Sequence, residues 1–147
     1  MKRNTIGGGK LIGLLGLLAL VLVSACATYQ PGGDDPNEPW VRAAKGAGTL
    51  SCGVLVGDLN ATELEQSRIA TNAALEVLQS DSPSLTNLKA AMDASPVPDR
   101  YEHVSALLLQ SLREDLGATD ALPVDSVGWA AANSFLSACQ RALSETA

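Results

Sequence analysis

The sequence predicts an all-α protein, a small bundle of four or five helices. Three observations predict it. Beyond an apolar leader the chain is rich in Ala and Leu, the best helix formers, and aromatic residues make up only 3% of the whole. Four stretches repeat apolar residues at helical spacing, and three of them open on a capping signal. Of the 147 residues, roughly 105 lie beyond the leader and its linker, which suffices for one modest core and one domain.

The first ten residues, "MKRNTIGGGK", are basic, residues 11 to 23, "LIGLLGLLALVLV", are apolar, and Ser24 and Ala25 are small. That is the three-part order of a secretory signal. Thirteen helical residues rise about 20 Å, short of the roughly 30 Å of a bilayer's hydrocarbon core. Counting on through Ala27 gives seventeen residues, the lower limit for a span, so an uncleaved anchor is the alternative. Either reading exports the rest of the chain.

At the seam stands "VSAC" (Val23, Ser24, Ala25, Cys26). It resembles the lipobox of bacterial lipoproteins, in which an aliphatic residue and two small ones precede a cysteine. The resemblance implies that the Cys26 thiol takes a diacylglyceryl group, with acyl chains such as palmitate, through a thioether. It also implies that a dedicated peptidase cuts before Cys26, and that the new amino terminus is open to further acylation. One acyl chain gives marginal membrane binding and two give stable anchoring, so a diacylated Cys26 meets the requirement. The protein would then sit on the outer face of a bacterial cell membrane or in an outer membrane. Ala27 stands where an aspartate would resemble an inner-membrane retention signal. With lipid on Cys26, Cys52 and Cys139 remain as one pair in an oxidising compartment, where a disulfide is expected. Two buried free thiols are the alternative. Two cysteines and one distant histidine do not fill a zinc shell.

The resulting layout is a signal peptide over 1–25, the lipid-attachment cysteine and a disordered tether over 26–39, and a helical domain over 40–147. The tether reading rests on "TYQPGGDDPNEP", residues 28 to 39, with three prolines, two glycines, three acids and little to bury. Lys2, Arg3 and Lys10 go with the leader. The chain beyond Cys26 therefore carries 7 of the 10 basic residues against all 16 acids, a formal charge of 7 − 16 = −9. Such a field repels nucleic-acid phosphates and excludes a nucleic-acid partner.

Within the domain, "WVRAAKGAGTLSCGVLVGDL" from Trp40 admits two periods. Leu50, Cys52, Val54 and Val56 alternate as in a strand, while Val41, Ala44, Gly48, Cys52 and Leu55 keep helical spacing. A helix is expected, because a lone strand finds no partner elsewhere in the chain. Gly48, one turn before Cys52, would let two backbones approach closely enough for a disulfide. Thr62 and Glu65 predict a capping box for a helix over 63–79, with Leu64, Ala70, Ala73, Ala74, Val77 and Leu78 on one side. Ser82 with Pro83 at the first helical position opens a short helix bearing Leu85, Leu88 and Met92 and ending near Ala94. Asp99 with Glu102 caps a third, where Tyr101, Val104, Leu108 and Leu112 form a stripe and Gly117 supplies the stop. The last helix, over 125–144, places Trp129, Ala132, Leu136, Cys139 and Leu143 inward, with Phe135 at the edge.

No chemistry announces itself. "GGGK" at 7–10 lacks the Ser or Thr after the lysine and the upstream spacing of a phosphate loop. "NAT" at 60–62 is a chance glycosylation sequon behind a bacterial leader. His103, the single histidine, falls opposite the stripe of its helix and reads as a solvated surface residue. The acid pairs Asp34/Asp35, Glu63/Glu65 and Glu114/Asp115 read as tether and helix-end residues, with Asp115 nearest a buried stripe. Trp129 is expected in the core and Trp40 as an anchor at the domain edge. Leu107, off the stripe, is a candidate for an exposed patch. No catalytic residue, metal ligand or cofactor site is expected.

The function expected is therefore a non-enzymatic binding or interaction domain displayed on the envelope, with an envelope protein as its partner. In plan, the chain resembles the exclusion lipoproteins of phages and prophages, which implies a block against a second infecting phage. A carrier of a lipid or other apolar ligand is the other alternative. "AAKGAGTLSCGVLVG" (43–57) and "ANSFLSAC" (132–139) look similar to segments of small exported actinobacterial helical proteins with two cysteines.

Overall fold

A computed structural model describes residues 29–31, 37–97, 106–107, 109–110, 113–114 and 119–145. The protein is all-α. Four helices have defined bounds: α1 Glu38–Val56, α2 Ala61–Leu78, α3 Leu85–Ala94 and α4 Val127–Ser144. Residues 106, 107, 109, 110, 113 and 114 are also helical, and Leu109 is buried among them. The expected stripe of Tyr101, Val104, Leu108 and Leu112, with Asp99, Glu102, His103, Asp115 and Gly117, lies outside the described residues. So do the leader and Cys26.

The ambiguous stretch is helix α1, and it starts earlier than Trp40. Glu38 and Pro39, read from the sequence as the end of a tether, form its first turn. A proline costs nothing there, because first-turn N–H groups have no intrahelical acceptor, and an acid there suits the helix dipole. The side that packs inward is Val41, Ala44, Gly48 and Cys52, as the helical spacing predicted.

Two caps differ from expectation. α2 is opened by Asn60, whose Oδ1 accepts the Glu63 N–H at 2.9 Å while the Glu63 carboxylate accepts the Asn60 N–H at 3.0 Å. Thr62 and Glu65 lie inside the helix instead. α3 is capped by Ser84, not Ser82, and its Oγ accepts the Asn87 N–H at 3.1 Å. Pro83 precedes the helix, because its carbonyl is taken by the Leu122 N–H at 2.9 Å. Around it the Leu85 N–H donates to the Asp120 carbonyl, and the Asp120 carboxylate accepts from the Thr86 N–H and hydroxyl. A single antiparallel bridge, Ser84 with Ala121, ties these two segments together. Leu85 and Leu88 are buried and Met92 partly so, as expected, and the helix does end at Ala94.

α4 is the central element. Ser126 caps it, and the helix begins at Val127, two residues after the expected start at Asp125. It packs against both α1 and α2, and α3 packs against α2. Against α1 it runs parallel, since Gly48 meets Phe135 and, four residues on in each helix, Cys52 meets Cys139. Against α2 it runs antiparallel. Gln79 bonds Asn133, Asn72 bonds Gln140, and the Arg68 Nε donates to the Leu143 carbonyl, one helix numbering down as the other numbers up. Packing between two helices explains why Phe135 is only 2% exposed, at the centre of the core rather than its edge. The main cluster joins Val41, Ala44 and Cys52 of α1 to Val127, Ala130, Ala131, Phe135 and Cys139 of α4. A second joins Leu78, Leu122 and Ala132. Leu75, outside the face expected for α2, is that helix's other buried residue.

Candidate functional site

Cys52 and Cys139 form a disulfide with Cα atoms 5.1 Å apart, closing a separation of 87 residues. The local sequence makes that approach feasible. Gly48 lies one helical turn before Cys52, and a Cβ on it would stand 2.4 Å from the Phe135 carbonyl oxygen. Only a hydrogen fits there, so glycine lets the two backbones touch. The Gly48 carbonyl in turn lies 3.6 Å from the Cys139 sulfur. Cys52 and Cys139 are 4% and 3% exposed, so the bond lies inside the main cluster.

The chain before α1 packs at the other end of the bundle, beside the start of α4. The Tyr29 N–H donates to the Asp125 carbonyl at 2.7 Å, just before α4, and Tyr29 packs against the main cluster. Trp129 behaves as the sequence suggested: it lies partly buried between both clusters, and its indole N–H donates to the Leu78 carbonyl at 3.0 Å. A buried indole with its one donor satisfied is a packing residue. At the opposite end Arg68 donates to the Leu143 carbonyl at 2.7 Å, placing a cation at the negative end of the α4 dipole.

Trp40 does not anchor the domain edge. It is 70% exposed, because its position on α1 turns it away from α4. Leu50 at 73% and Val54 at 55% are exposed on the same helix. Leu107 is exposed, as its placement off the stripe predicted, and Ile69 and Val124 are the other large apolar residues described as exposed. The polar side of α1 carries Arg42, bonded through Nε to Glu38 at 3.1 Å. That hydrogen bond, and then the Glu38 charge, raise the guanidinium above its ordinary value.

Among the described residues, no group of three or more His, Cys, Asp or Glu side chains could hold a metal ion. No described helix is long and apolar enough to cross a membrane. The sequence reading missed the apolar outer side of α1. Its signal was present in Ala43, Leu50 and Val54, which recur at helical spacing away from the buried face.

The chain matches no family model, no curated protein and no solved structure.

Proposed function

We propose that this chain is a membrane-anchored lipoprotein whose helical bundle serves as a non-enzymatic interaction domain on the bacterial envelope. Residues 1–25 export it, and the peptide bond before Cys26 is cut. Acyl chains on Cys26 hold it to the outer face of the cell membrane or in an outer membrane. Tyr29 already packs on the bundle three residues beyond Cys26, a reach of about 10 Å at full extension, so the bundle sits close to the lipid surface.

The observation that carries this reading is the pairing of cysteines. Disulfides persist in oxidising, extracytoplasmic compartments, and the Cys52–Cys139 bond is consistent with one. It also leaves Cys26 as the single cysteine outside the bond, at the seam where the "VSAC" pattern would place lipid. The exposed Trp40, Leu50 and Val54 support an interaction role, since apolar surface grouped on one element marks a contact site more often than scattered residues do.

The test is fractionation of cells producing the full chain and its Cys26→Ser variant, fed a labelled fatty acid. The wild-type chain is expected in the membrane fraction and labelled. The variant is expected to be unlabelled and to keep its leader. Equal labelling of both, or a wild-type chain that leaves the membrane with a salt wash, would reject the anchor.

A further inference from the structure

From the outer face of α1 we infer that the partner of this domain includes a second copy of itself, held through α1 packed antiparallel against the same helix of the other copy. The inference rests on exposure, charge and shape, and it extends the interaction reading by naming a partner.

α1 is apolar on two opposite sides. One side, Val41, Ala44, Gly48 and Cys52, is buried against α4. The other consists of Ala43, Gly46, Leu50, Gly53 and Val54, all exposed, with Trp40 at its rim. At 100° per residue these five fall within an arc of about 100° that holds no charged residue, while Arg42, Lys45 and Glu38 gather beside it. Positions 43 and 50, and 46 and 53, are seven residues apart, the repeat of a helix-pairing seam.

Among the described residues nothing accounts for the glycines of that seam. A Cβ on Gly46 or on Gly53 would meet no atom within 4 Å, unlike one on Gly48. Glycine in a helix interior weakens the helix relative to alanine, so two of them facing open space suit a backbone that approaches from outside. A lipid surface would gain little from such a seam, because membrane binding scales with buried apolar area and glycine contributes none.

The seam is self-complementary when reversed. Its large residues, Leu50 and Val54, lie in the C-terminal half, and small ones, Ala43 and Gly46, lie in the N-terminal half. An antiparallel second helix therefore sets each Leu50 over Gly46 of the other copy, and each Val54 over Ala43. A two-fold interface needs this kind of match. Two copies with a formal charge of −9 each after Cys26 repel through most of their surface, and this seam carries no carboxylate.

Area sets the strength. Trp40, Leu50 and Val54 expose on the order of 400 Å² per copy. With Ala43 and the glycine backbone the face reaches the total of about 1,000 Å² that a specific interface needs, and no more. The pair is weak in dilute solution, and it forms when both copies are confined to one surface, where effective concentration is high.

The test uses the full chain in intact bacterial cells, with a benzophenone amino acid replacing Trp40, an aromatic for an aromatic. Irradiation is expected to give a covalent dimer whose adduct maps to residues 53–58 of the second copy. Leu50→Glu and, independently, Gly46→Leu should each reduce that dimer roughly tenfold or more while the Cys52–Cys139 bond still forms and the melting temperature does not fall. No dimer, an adduct to lipid or to another protein alone, or an adduct at position 40 of the second copy would each overturn the inference. The mass of the same product reports lipid on Cys26. A mapped dimer without lipid would reject the anchor and leave the interface standing.

Discussion

Replacing Gly48 by alanine tests the packing on which the whole bundle depends. The new Cβ would lie 2.4 Å from the Phe135 carbonyl oxygen and 3.1 Å from its carbonyl carbon and Cα. All three are backbone atoms, so no rotamer change relieves the clash. α1 and α4 must separate by about 1 Å to restore ordinary contact. The Cys52–Cys139 bond, one turn away, opposes that separation. Overpacking of this kind costs about 1 to 3 kcal/mol. Alanine returns about 0.8 to 1 kcal/mol of helix propensity, leaving a net loss of up to about 2 kcal/mol. Gly46→Ala, two residues earlier, meets nothing within 4 Å and keeps the propensity gain alone. The propensity gain is common to both, so Gly48→Ala should be less stable than Gly46→Ala by the overpacking cost, about 1 to 3 kcal/mol. At about 4 to 8 °C per kcal/mol for a domain of this size, thermal unfolding monitored by circular dichroism at low concentration resolves the gap easily. If Gly48→Ala melted as high as Gly46→Ala, the close approach of α1 to α4 would be wrong.

Removing the disulfide by Cys52→Ser with Cys139→Ser should cost about 4 to 5 kcal/mol in the chain-entropy account, given the long loop it closes. Set against a typical total of about 5 to 15 kcal/mol, urea unfolding should show the double variant near its threshold of folding, and an unchanged midpoint would contradict the account. At the start of α2, Asn60→Ala should lose about 1 kcal/mol through the broken capping box, whereas Thr62→Ala should stay within about 0.5 kcal/mol. Equal losses in urea titrations would mean that the cap has been assigned to the wrong residue.

Much of this architecture could be read from residue spacing. The helical period of Val41, Ala44, Gly48 and Cys52 placed Cys52 on the same side as the core, and the cysteine count made Cys139 its partner. The errors have a common physical form, two local solutions of nearly equal merit between which tertiary contacts decide. Asn60-x-x-Glu63 and Thr62-x-x-Glu65 are both capping boxes. The chain uses the first, and the helix starts two residues earlier, at Ala61. Ser82 and Ser84 are both caps, and the Leu122 N–H settles the matter by requiring the Pro83 carbonyl before the helix begins. Phe135 falls at an edge only if α4 has a single apolar face, and α4 packs on two sides. The same assumption hid the outer seam of α1 and set Trp40 against the domain rather than away from it. A helix wheel reports which residues share a side and is silent on how many sides find partners.

The most direct test of the central claim is the intact mass of the protein extracted from the membranes of producing cells. The account predicts a chain beginning at Cys26, heavier than its polypeptide by a diacylglyceryl group or more, and lighter by the two hydrogens lost to the Cys52–Cys139 bond. A chain that keeps residues 1–25, or one beginning near Cys26 without added lipid, would contradict it.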